Sequence, residues 1–116
     1  MDPDVQHYLA AVPAEQRTLF DRVQRLVLQA HPGAACVLSY RMPTFVVGQR
    51  RLHVGVWKHG LSLYGWEPGR DGGFAARHPE LDSGKGTLKI PLARAADISD
   101  DELLALLRGA LDPPPA

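Results

Sequence analysis

Residues 38–45 read Leu38-Ser39-Tyr40-Arg41-Met42-Pro43-Thr44-Phe45. They stand between a long helical pattern and a series of short strand patterns, so their reading decides the fold class. Ala35–Tyr40 has strand character, Arg41-Met42-Pro43 is a break, and Thr44–Val47 resumes as a second strand. Pro43 has no N–H to give a ladder and is expected at a strand start, an edge or a bulge. Gly48-Gln49 then forms a two-residue turn with glycine first, the pattern of a type II′ hairpin. A third strand spans Arg50–Trp57. The chain turns at Lys58–Gly60, where Gly60 is expected to supply positive φ. Leu61–Gly65 is a fourth strand. Connections this tight call for an antiparallel meander.

Ahead of this block, Asp2-Pro3 opens a short helix with Val5, Tyr8, Leu9 and Val12 near one face. From Pro13 to His31, Leu19, Phe20, Val23, Leu26, Val27 and Ala30 recur at three- and four-residue spacing. His31-Pro32-Gly33 stops that helix, since Pro32 disfavours helical geometry at the preceding residue. Beyond the meander, Phe74–Arg77 fits a short helix, against the pull of Gly69, Gly72 and Gly73. Asp82–Lys85 reads as a loop and Gly86–Ile90 as a fifth strand. Ser99-Asp100-Asp101-Glu102 is a capping box that starts a last helix, with Leu103, Leu104, Leu107 and Leu111 as its apolar stripe. The expectation is one α+β domain over 1–111. It has an antiparallel sheet of about five strands, with two N-terminal helices and a C-terminal helix packed on one face. Residues 112–116, with three consecutive prolines, are expected to be a disordered tail.

The composition narrows function by exclusion. Thirteen basic and thirteen acidic residues balance, so no global field gathers nucleic acid or an anionic membrane. No basic-then-apolar leader opens the chain, and no apolar run reaches the roughly 20 residues a membrane span needs. Cys36 is the single cysteine, so no internal disulfide forms, which fits a cytoplasmic protein; it reads as a small core residue. His7, His31, His53, His59 and His78 lack metal-ligand spacing. No set of nucleophile, base and orienting group is visible, so no catalytic residue is assigned and the chain leans away from an enzyme.

Alternation sorts the strand side chains into two sets. Leu52, Val54, Val56, Leu61, Leu63, Leu88 and Ile90 form a core face. Arg51, His53, Trp57, Ser62, Tyr64, Thr87 and Lys89 form the other. An antiparallel sheet can leave such a face in water, and His53, Trp57 and Tyr64 are its expected partner surface, for another protein or a homodimer.

Three short motifs in order carry a family resemblance. They are Ser39-Tyr40-Arg41-Met42-Pro43-Thr44-Phe45, then Trp57-Lys58-His59 with Tyr64, then Gly84-Lys85-Gly86-Thr87-Leu88 with Pro91-Leu92. Together they resemble the YdhG-like family of small bacterial proteins, largely a domain of unknown function. The resemblance covers nearly the whole chain and implies helices on one side of an antiparallel sheet. One branch of that family is described as a frataxin-like iron chaperone, and iron enters by this resemblance only. Iron favours clustered carboxylates, whereas Asp2, Asp4, Glu15 and Asp21 are sparse and interleaved with Arg17, Arg22 and Arg25. Arg41 stands where the family commonly has glycine.

A second reading is a small-anion or metabolite module. Tyr40, Arg41, Met42, Lys58, His59, Lys85 and Thr87 would supply it if their loops converge, with Gly84 and Gly86 exposing backbone amides. Gly-Lys-Gly-Thr lacks the upstream glycine spacing of a P-loop. A third reading is a protein-interaction domain with no small ligand.

Overall fold

A computed structural model of the chain describes residues 2–67, 69–84 and 86–113. The order is α1 (Pro3–Ala10), α2 (Ala14–Ala30), β1 (Ala35–Ser39), β2 (Met42–Val47), β3 (Arg50–Trp57), β4 (Gly60–Tyr64), α3 (Phe74–Arg77), β5 (Asp82–Gly84), β6 (Thr87–Pro91) and α4 (Asp100–Leu111). Short 3-10 turns span Pro79–Leu81 and Leu92–Asp97. The fold is α+β, with six antiparallel strands in the open order β1-β2-β3-β4-β6-β5. The N-terminal helices and α4 pack against the sheet. No helix among the described residues is long and apolar enough to cross a membrane.

The helical stripe of α2 makes the core. Leu19, Phe20, Val23, Leu26 and Val27 are buried against Phe45, Leu52, Val54, Leu61, Leu63, Leu88 and Ile90 from the sheet and Leu103, Leu106, Leu107, Ala110 and Leu111 from α4. Phe20 and Phe45 stack at 5.8 Å. Burial of an aliphatic or aromatic side chain stabilises by about 1.5–3 kcal/mol, which is why the stripe decides the helix's orientation.

The sixth strand departs from the expected five. Asp82–Gly84, expected as a loop, pairs with β6 as a bulged edge strand only three residues long. The second strand starts at Met42 rather than Thr44, and Tyr40 belongs to the turn. Pro43 lies one residue inside β2, opposite Leu38. Two-residue loops close on hydrogen-bonded pairs, so Ser39, Val37 and Ala35 bond to β2, while alternate residues of β2 turn towards β3. Pro43 is one of those, and the β2–β3 register ends at Thr44↔His53, where Pro43 has no N–H to continue it. The Val56 amide further up β3 instead donates to the Tyr8 hydroxyl of α1 at 3.3 Å.

Gly60 also works differently from the expectation. Its φ is not positive. A Cβ there would run into the backbone carbonyl oxygen of Ile90 and lie 2.8 Å from Pro91 Cα, so glycine allows β4 and β6 to close. The capping box at α4 is half made. Ser99 Oγ accepts from the Glu102 amide at 3.1 Å, but the Glu102 carboxylate is taken by Arg77 at 2.8 Å and His78 at 2.7 Å. Of the expected C-terminal tail, Asp112 and Pro113 are described and residues 114–116 lie outside the described residues. Asp112 meets His31 Nε2 at 2.6 Å, and its carbonyl accepts from Arg70 at 3.1 Å.

Candidate functional site

The face of the sheet opposite the helices carries the sequence's candidate residues. Register lines up Val37, Thr44, His53, Tyr64 and Thr87 in one row across five strands. Gly55, Ser62 and Lys89 align in the next row, on the side of Met42. Gly55 lets two side chains meet over the strand: an added Cβ would stand 3.3 Å from Met42 Sδ and 3.4 Å from Tyr64 Cε2.

Tyr40 and Arg41 form the β1–β2 turn, and both have positive φ, 51° and 62°. That is the type I′ geometry usually given to asparagine and glycine, and bulky residues hold it at a cost of order 1 kcal/mol each. The strained turn presents Tyr40, which is 81% exposed, and sets its ring edge-on to His53 at 5.5 Å.

His53 is held by a short relay. Its Nδ1 lies 2.8 Å from Thr44 Oγ1, and Thr44 Oγ1 donates to the Met42 carbonyl at 3.2 Å. The hydroxyl has one proton, and a carbonyl can only accept. Both bonds are therefore made when Nδ1–H donates to Thr44, which leaves the lone pair on Nε2. Burial, and then the positive charge of Arg51, hold the His53 pKa below its ordinary value, so the ring is neutral at pH 7.

Trp57 sits at the far end of β3, with Lys89 Nζ 5.4 Å from its ring and His59 edge-on at 5.3 Å. Its Nε1 is buried and has no partner among the described residues. Lys58 and His59 form the β3–β4 turn, which Gln16 of α2 fixes by donating to the Trp57 and Lys58 carbonyls at 3.3 and 3.0 Å. Lys58 and His59 line an open cleft of about 620 Å³ with Glu15, Pro91, Leu92 and Ala93.

The anion site expected from the loops divides in two. Lys85 lies outside the described residues. Gly84 pairs with Thr87 at one end of β6, whereas Gly60, next to Lys58 and His59, pairs with Pro91 at the other. Four strand residues separate these ends by roughly 13 Å. Arg41, at the β1–β2 turn next to Met42, lies at the Lys58–His59 end of the sheet, since Met42 stands beside Gly55 of β3. The structure therefore brings Tyr40, Met42, His53 and Tyr64 together, sets Trp57, Lys58, His59 and Lys89 beside one another, and leaves Gly84 and Gly86 apart.

Carboxylates gather elsewhere. Glu67, Asp71 and Asp82 line a cleft of about 470 Å³ with Trp66, Gly86 and Thr87. Each is already engaged: Glu67 with Arg50 at 2.7 Å, Asp71 with the Gly73 and Ala75 amides at 3.1 and 2.8 Å, Asp82 with the Gly84 amide at 2.8 Å. Among the described residues no three His, Cys, Asp or Glu side chains are grouped to hold a metal ion. Cys36 is half-buried on β1, and burial pushes its thiol up to about 11.

One signal was in the sequence but hidden by the balanced total. Residues 22–66 contain Arg22, Arg25, Arg41, Arg50, Arg51 and Lys58 and no aspartate or glutamate. Arg22 and Arg25 pair with Asp100, and Arg50 with Glu67. Arg41, Arg51, Lys58 and Lys89 are exposed and make no ion pair among the described residues. No protein-family model, curated protein or solved structure matches this chain.

Proposed function

We propose that this chain is a binding protein whose working surface is the open face of the sheet, and that its partner is an acidic segment of another protein. The carrying observation is the charge segregation of that face. The strands β1 to β4 and β6 carry no carboxylate, while Arg41, Arg51 and Lys89 stand without an ion-pair partner among the described residues around Tyr40, His53, Trp57 and Tyr64. Unpaired cations steer acidic partners, and exposed aromatic rings supply contact area at low entropic cost.

The spread of these groups favours a macromolecule over a small anion. The cations are distributed from the β1–β2 turn to β6, a width of roughly 15–20 Å at strand spacing, which a single phosphate does not bridge. The YdhG-like resemblance, with its iron-chaperone branch, remains a separate proposal. It draws no ligand set from Glu67, Asp71 and Asp82, which are held by Arg50 and by backbone amides.

The test is a titration of labelled protein followed by NMR, with four probes: a glutamate-rich peptide, a lysine-rich peptide, a single-stranded oligonucleotide and ferrous iron. The proposal expects the acidic peptide alone to shift residues of β2, β3 and β4, with binding that weakens as salt rises and is lost in Arg41→Ala/Arg51→Ala. Shifts confined to the oligonucleotide or to iron would reject it.

A further inference from the structure

The two edges of the sheet are treated differently. The β5 edge is three residues long, bulged, and begins with the charged Asp82. Those are devices that discourage strand addition. The β1 edge has none of them: Ala35-Cys36-Val37-Leu38-Ser39 is regular, uncharged and free of proline. Since Ala35, Val37 and Ser39 spend their backbone groups on β2, the N–H and C=O of Cys36 and Leu38 point outward. No other backbone or side-chain group among the described residues bonds them. Leu38, on the core-side face of this edge, is 37% exposed. The helix α1 packs beneath β1 and β2.

We infer that β1 pairs antiparallel with β1 of a second copy of this chain, about a two-fold axis at Val37. The edge is self-complementary in that register. Cys36 faces Leu38 of the partner copy and exchanges both backbone hydrogen bonds with it, and the symmetric pair repeats this, so four bonds form and all four outward groups of the two residues are used. Val37 meets its own copy in the close, non-bonded pair between them. Leu38 packs on the partner copy's Cys36. The absence of charge on β1 means that the two-fold sets no like charges opposite each other. The result joins two sheets into one and continues the open faces side by side, with an isologous interface. A five-residue edge lies at or below the standard interface size, so the dimer is a weak, micromolar-to-millimolar one. This inference is independent of what the open face binds.

The register makes a sharp test. Sedimentation velocity on the full chain from about 10 µM to about 1 mM should show reversible dimerisation. Val37→Lys and Val37→Glu each set like charges directly across the axis and should each weaken self-association by about tenfold or more. Mixing the two variants should restore a dimer. Leu38→Pro removes an outward N–H that β2 does not use, and should also give a monomer with an unchanged circular dichroism spectrum. A wild type that stays monomeric to about 1 mM, or dimers that persist in Val37→Lys and Leu38→Pro, would overturn the inference, as would folded charge variants that do not associate on mixing.

Discussion

Replacing Gly60 with alanine discriminates between two reasons for a glycine at the β3–β4 turn. If the residue served a left-handed backbone, asparagine would be tolerated and alanine would cost about 1 kcal/mol. The structure gives another reason. The φ of Gly60 is not positive, and a Cβ would strike the Ile90 carbonyl oxygen and approach Pro91 Cα to 2.8 Å. Both obstacles are backbone, so no rotamer change relieves them. The strand ends must separate, which breaks the Gly60↔Pro91 pairing and strains the bond from the Leu92 amide to the His59 carbonyl, 2.7 Å long. Losing one or two backbone hydrogen bonds with burial already paid costs on the order of 2–4 kcal/mol. For a chain of this size that lowers the midpoint by roughly 10–15 °C. Urea unfolding monitored by circular dichroism measures it. Gly60→Ala and Gly60→Asn should lose similar stability. A loss below about 0.5 kcal/mol for alanine, or an asparagine variant clearly more stable than alanine, would refute the close-approach argument.

Other expectations follow from named contacts. His53 should titrate below its ordinary 6.5 by NMR, with Nδ1 protonated in the neutral ring. Because the folded pKa is depressed, the unfolded chain takes up the proton first, so its contribution to stability is complete above about pH 6.5 and falls as pH drops through the folded value. Thr44→Val should release the tautomer, visible in the ring nitrogen shifts. Arg22 donates to the Ala95 carbonyl at 3.0 Å, to the Ile98 carbonyl and to Asp100, tying α2 to the Leu92–Asp97 turn. Arg22→Ala should cost on the order of 2 kcal/mol in urea unfolding, and Arg22→Lys should recover little, because an ammonium lacks the guanidinium's fork. Trp66, 7% exposed, donates from Nε1 to the Leu106 carbonyl at 2.8 Å; Trp66→Phe should lose about 1–2 kcal/mol, read by the same assay.

Periodicity carried the architecture because burial enforces it. The stripe from Leu19 to Val27 could face only one way, and the alternation on Arg50–Trp57 and Leu61–Tyr64 had one apolar side. Features decided by contact between distant segments were not legible. Asp82–Gly84 becomes a strand only because β6 lies beside it. Glu102 leaves its capping role because Arg77 and His78 arrive from another segment. Trp66 enters the core only where α4 offers the Leu106 carbonyl. The same holds for the candidate site. Alternation placed His53, Trp57 and Tyr64 on one face, but the relay through Thr44 and the strained Tyr40–Arg41 turn needed the hairpin closed. The distance between Arg41 and the Gly84–Gly86 stretch is set by strand order, which local motifs do not encode. The carboxylate-free run from 22 to 66 was readable, and a windowed charge count would have found it.

The open sheet face is proposed as the surface for an anionic partner. The decisive measurement is the amide chemical-shift map of the protein titrated with a glutamate-rich peptide at low and at physiological salt. Shifts grouped around Tyr40, Arg41, Arg51, His53, Tyr64 and Lys89, weakened by salt and abolished in Arg41→Ala/Arg51→Ala, are the predicted result. Shifts confined to the helical side, or none at any salt, would contradict it.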